Sequence, residues 1–163
     1  MSVKELIEKI QSGDDNVRGD AWQSAGTAGP EAIQPLVKLM AEGEMEVARS
    51  AKRAIGKIVV HVGRPGAEAE RKPVLAELLA ALKADQPVEV HRELLWMVSE
   101  LAWPDEGVDE VAAFLKNSEL REDARMVLQR IPGDKSLALL KLALERVPED
   151  FKIHIVQSLR ARG

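Results

Sequence analysis

Five times along the chain the same short module recurs, an apolar residue followed four positions later by a small or aliphatic one. The pairs are Val17 and Ala21, Val47 and Ala51, Val90 and Leu94, Leu120 and Ala124, and Phe151 and Ile155, at successive intervals of 30, 43, 30 and 31 residues. A period near 30 suits a pair of helices, and a lone pair cannot bury its own apolar face, so copies must stack. The longer interval contains Gly63-Arg64-Pro65-Gly66, with Pro73 shortly after. An insertion over about 63–73 in one connection accounts for it. The expected organisation is one repeat domain over 1–163, with units at about 1–28, 29–62, 63–103, 104–132 and 133–163.

Within each unit the apolar residues step by three and four, which is one face of a helix and not the alternation of a strand. The stripes are Leu6, Ile7 and Ile10; Ile33, Leu36, Val37 and Met40; Val74, Leu75, Leu78, Leu79 and Leu82; Val108, Val111, Ala112 and Leu115; and Leu137, Leu140 and Val147. Aromatics are only 3% of the chain and tyrosine is absent, so Leu, Ala, Val and Ile must fill the core. Helices in close contact suit that composition. Ser2 with Glu5 reads as a capping box, Pro30 fits a first helical turn, and Ser118 is placed to cap the helix that ends near Pro132-Gly133. Pro104 and Pro148 mark further breaks. About ten helices result.

Asp14-x-x-Val17-Arg18-x-x-Ala21 resembles the second-helix signature of HEAT repeats, above all the short type of the phycobilisome-lyase-like group. Asn117-x-x-Leu120-Arg121-x-x-Ala124 repeats it with Asn for Asp, and Ala51, Ala54, Ile55 and Gly56 match its small-residue end. Units three and five depart, with His91 and Lys152 in the arginine position and Leu94 and Ile155 in that of the alanine. The resemblance implies an all-α fold, an α-solenoid of about five HEAT-like hairpins wound as a right-handed superhelix, with a concave second-helix face. In that signature Asp14 or Asn117 accepts hydrogen bonds from the first amides of its helix. Arg18 and Arg121 are expected to reach acidic groups on a neighbouring unit.

Catalytic motifs are missing. There is no phosphate loop, no G-x-G-x-x-G and no G-x-S-x-G elbow. Cysteine is absent, and His61, His91 and His154 lie far apart without an H-x-x-x-H pair. No metal or cofactor is expected. Acidic pairs such as Asp14-Asp15 and Glu149-Asp150 stand at helix starts, where the dipole favours negative charge. The N-terminus lacks the apolar core of a signal peptide, and no stretch approaches the roughly 20 apolar residues that span a bilayer. A soluble cytoplasmic protein is the expectation.

One helix stands out. From about Met45 to Val62 the chain sets Arg49, Lys52, Arg53 and Lys57 on one arc and Val47, Ala51, Ala54, Ile55 and Ile58 on the other. No acidic residue lies between Glu46 and Glu68. Like charges at this spacing repel, and nothing in the helix itself is expected to compensate them. Either carboxylates of adjacent units do so or an anionic partner does. Repeat offsets align Arg49 with Arg92 and Glu122, and Arg53 with Gln23, Trp96 and Met126. The expected partner-binding set is therefore Arg49, Lys52, Arg53, Lys57, Arg92, Trp96 and Met126. Trp22 reads as core, and Trp103, beside Pro104, as a cover for the end of its helix. The leading expectation is a non-enzymatic scaffold or adaptor that grips a protein or peptide on its second-helix face, an acidic partner suiting the basic arc. Nucleic-acid binding or base repair, as in HEAT-like glycosylases, is an alternative that the net charge of -4 disfavours. A chromophore-lyase-like role rests on the family resemblance alone.

Overall fold

Helix boundaries fall where the caps put them in the computed structural model, which describes all residues from Met1 to Gly163 as ten α-helices without a strand. Ser2 opens α1 (Val3–Ile10) by accepting the Glu5 amide at 3.1 Å. The box is half-made, because the Glu5 carboxylate turns to Lys9 at 2.7 Å. Asp14 opens α2 (Asp15–Gln23) by accepting the amides of Asn16 and Val17 at 2.8 and 3.3 Å. The chain divides into two compact units, 1–90 and 91–163.

In the first unit α3 (Ile33–Glu42) follows a 3-10 turn that begins at Pro30. Helix α4 (Met45–Val62) then packs against α3, against α2 and against the 3-10 turn Ala25–Thr27. Ser50, Ala51, Ala54, Ile55, Ile58, Val59 and Val62 form its buried arc. That turn comes close, since a Cβ on Gly26 would stand 3.4 Å from both the Lys57 carbonyl and the His61 Cβ. Helix α5 (Glu68–Lys83) packs on α3 and α4. The inserted residues are not one long loop. Residues 63–67 make a turn, and 68–73 extend α5 by more than a turn, with the exposed Pro73 inside the helix.

Not every marker residue is core. Ala21 is buried, but Val17 is 37% exposed and lines a shallow cleft with Met1 and Lys9. Its neighbour Arg18 is buried instead, bonded to the Ser12 carbonyl at 2.5 Å and to the Asp15 carboxylate. Arg18 therefore closes its own hairpin and does not reach an acidic group on another unit.

Helix α6 (Val88–Leu101) leads into the second unit, which contains α7 (Val108–Ala112), α8 (Arg121–Arg130), α9 (Asp134–Arg146) and α10 (Lys152–Arg162). Asn117, one residue before Ser118, makes the turn into α8, its side chain accepting the Glu119 amide at 2.9 Å and its carbonyl the Arg121 amide at 2.8 Å. Helix α8 packs on α7, α9 and α10. Beneath it, buried Arg125 bonds Ser158 at 2.7 Å and pairs with Glu122. Arg162 collects the carbonyls of Leu128, Ile131 and Gly133 at 2.8–3.0 Å and so satisfies the open C-terminal end of α8. The other end of the following turn is closed from 30 residues away, where the Asp105 carboxylate accepts the Lys135 and Ser136 amides at 2.9 and 3.1 Å. Gly133 is required there, because it has φ +116 and a Cβ would land on that carboxylate.

Two predictions follow from these contacts. Ala51→Asp or Ala124→Asp puts an unpaired charge at a fully buried helix contact. Each should cost roughly 3 kcal/mol or more, a fall of about 6–12 °C in melting temperature by calorimetry. Asp105→Ala, which removes the acceptor for two amides, should cost about 1–2 kcal/mol, while Asp105→Asn, which keeps an acceptor, should cost less in the same denaturation assay.

A candidate binding surface on the second helices

Arg49, Lys52, Arg53 and Lys57 belong to the first unit, and Arg92, Trp96 and Met126 to the second. On α4 the small and branched residues of one arc are held against neighbouring helices, so the opposite arc must face out. Arg49, Lys52, Arg53 and Lys57 are all exposed there. Their electrostatic surroundings differ along the helix. Arg49 pairs with Glu46 of its own helix at 2.9 Å, so compensation does come from within α4. At the far end Glu70 of α5 lies 3.3 Å from His61 Nε2 and 2.5 Å from Arg64. The hydrogen bond from Arg64 holds the Glu70 carboxyl below its ordinary range, against the opposing effect of desolvation.

Between these two ends the compensation changes character. Arg53 stands 5.3 Å and Lys57 5.7 Å from the ring centroid of Trp22 on α2. Neither cation forms an ion pair. An indole face attracts a cation through its quadrupole, worth about 0.5–1 kcal/mol at exposed sites, but it cannot cancel the charge. Two formal positive charges thus converge on one half-buried aromatic ring. Trp22, expected in the core, is the platform of this cluster. Its place was signalled by position, since Trp22 is one residue off the row that carries Gln23 and Arg53.

The second unit uses its residues differently. Arg92 Nε meets Asp123 Oδ2 at 3.2 Å, and its Nη2 donates to the Glu119 carbonyl at 3.1 Å. Trp96 Nε1 donates to the other oxygen of Asp123 at 3.1 Å, and Arg130 lies 5.7 Å over the Trp96 ring. Asp123 therefore ties α6 to α8, and Arg92 and Trp96 are committed to that joint. Trp96 is half-buried, while Met126 is 40% exposed. Asp123 was missed because the outward rows of the repeat do not pass through it. Trp103, expected to cover a helix end, is 45% exposed in the turn after α6. Arg121 reaches no acidic group either and sits 5.7 Å over the Phe151 ring.

The structure contains no group of three His, Asp or Glu side chains placed to hold a metal ion. No helix is long and apolar enough to cross a membrane. What this surface offers chemically is attraction and apolar contact, without a nucleophile or a paired acid and base.

No protein-family model matches the chain, and no curated protein matches it in sequence. Solved structures do match. An engineered protein from a structural-genomics programme is 20% identical with a TM-score of 0.51, over 98% of this chain and 78% of its own. A designed armadillo repeat protein in complex with the peptide (KR)4 is 18% identical with a TM-score of 0.51, over 99% and 82%. Computationally designed armadillo repeat proteins for modular peptide recognition give 17% identity and the same TM-score, also over 99% and 82%. Identities this low speak to fold alone, and the fold is that of an all-α helical repeat.

Proposed function

We propose that this chain is a non-enzymatic helical-repeat scaffold whose second helices bind an acidic segment of a protein partner at Trp22, Arg53 and Lys57. The observation that carries the reading is the pair of exposed cations over one indole, without a carboxylate to neutralise them. A carboxylate arriving from a partner gains both charges, and its neighbouring side chains gain the ring edge and the aliphatic stems of the cations. The similar designed armadillo proteins support peptide recognition by such a fold, one of them in complex with the basic peptide (KR)4. Here the sign of the exposed charge favours the opposite kind of peptide.

The repeat chemistry supports HEAT-type units. Asp14 makes the helix-entry hydrogen bonds that signature asks of it, and Ala21, Ala51 and Ala124 are buried, whereas Asn117 accepts the Glu119 amide in the turn before α8. Arg18 turns back into its own hairpin, which the resemblance does not account for.

A labelled short peptide of alternating Asp and Glu, followed by fluorescence anisotropy at low salt, tests the reading. Binding is expected, weakening as salt rises and falling tenfold or more in Arg53→Glu with Lys57→Glu at unchanged helicity by circular dichroism. Arg49→Glu should matter less, because Arg49 already pairs with Glu46. Equal affinity in the double variant, or preference for a Lys-Arg peptide, would defeat it. Capture of single-stranded DNA with a steep salt dependence and no capture of the peptide would favour the nucleic-acid alternative.

A further inference from the structure

A second feature lies wholly within residues 112–148 and owes nothing to the Trp22 cluster. Helix α7 is only five residues long and tightens into a 3-10 turn at Ala113–Lys116. The tightened turn and the small side chains of Ala112 and Ala143 leave a cavity of about 310 Å³ against α9. Its walls are mainly aliphatic, from Leu115, Leu139, Leu142 and Val147. Its charged lining residues are Lys116, Arg121 and Arg146, and no acidic residue contributes.

Those cations are not neutralised, although Arg121 also lies 5.7 Å over the Phe151 ring. None of the three forms an ion pair, and the Arg121 Nε is buried without a hydrogen-bond partner. A carboxylate at the pocket mouth would supply the charge partner that the Arg121 side chain, which lines the cavity, lacks. Low-dielectric walls strengthen that attraction, and the planar fork of arginine matches a carboxylate in two-point geometry. Leu142, 38% exposed, gives an apolar body a lip to enter over. The volume is at the lower end for small-molecule sites.

We propose that this cavity binds a small free monocarboxylate with an aliphatic body, the chain lying among Leu115, Leu139 and Leu142 and the carboxylate resting on Arg121. Charge and apolarity are both needed, so octanoate, octanol and acetate separate the two contributions. The full chain, titrated with each and followed by amide NMR shifts, provides the readout.

Octanoate should give saturable shifts at Ala112, Leu142 and Ala143, octanol should bind at least tenfold more weakly, and acetate should give none. Arg121→Gln should weaken octanoate about tenfold. Leu142→Glu, at a position 38% exposed, should abolish binding by placing a like charge at the mouth, at unchanged helicity by circular dichroism. Absence of saturation up to about 10 mM octanoate, equal affinity for octanol, or indifference to Leu142→Glu would overturn the proposal. Failure here leaves the peptide surface untouched, since its residues lie on α2 and α4.

Discussion

Close approach at Ala51 and Ala54 is the constraint on which the first unit depends. These fully buried methyl groups let α4 sit against α2, α3 and the Ala25–Thr27 turn at once, and Gly26 keeps that last contact short. A helix held on so many sides has one orientation about its axis. The orientation sends Arg49, Lys52, Arg53 and Lys57 outward together, whatever their mutual repulsion, because turning them in would bury four charges. The charged face is thus a consequence of packing on the opposite arc.

Arginine has two opposed uses in this chain. Arg18, Arg125 and Arg162 are structural: each is wholly or partly buried, and each donates to carbonyls, hydroxyls or carboxylates that helix ends and turns would otherwise leave open. Such groups are retained because removing one strands its partners. Arg53 and Arg121 make no ion pair and lean on aromatic rings instead, over Trp22 and Phe151. A ring stabilises a cation without consuming its charge, and these are the places where the surface retains a capacity for anions.

How much of this the sequence disclosed depends on the range of the interaction. Periodicities and caps are local, so α4 from Met45 to Val62, the Asp14 cap and the amphipathic arcs were legible. The stacked helical-repeat fold was legible too, because buried Ala21, Ala51, Leu94, Ala124 and Ile155 recur in register. Contacts between helices distant in sequence were not. Glu70 reaching His61, Asp123 joining Arg92 to Trp96, and Asp105 capping α9 from a distance depend on side-chain direction and helix offset. A wheel drawn for one helix has no access to those. Val17 shows the converse, since a residue can match the repeat and still be uncovered when its arginine neighbour turns inward.

The central claim is that positive charge concentrates, unneutralised, at the face of Trp22. Quenching of its fluorescence in a Trp96→Phe, Trp103→Phe background measures that directly, with acrylamide to normalise for exposure. Charge over the ring predicts iodide as the efficient quencher and caesium as a poor one, the difference shrinking with added salt. Equal quenching by the two ions, or a preference for caesium, would mean that the cations over Trp22 are neutralised or absent.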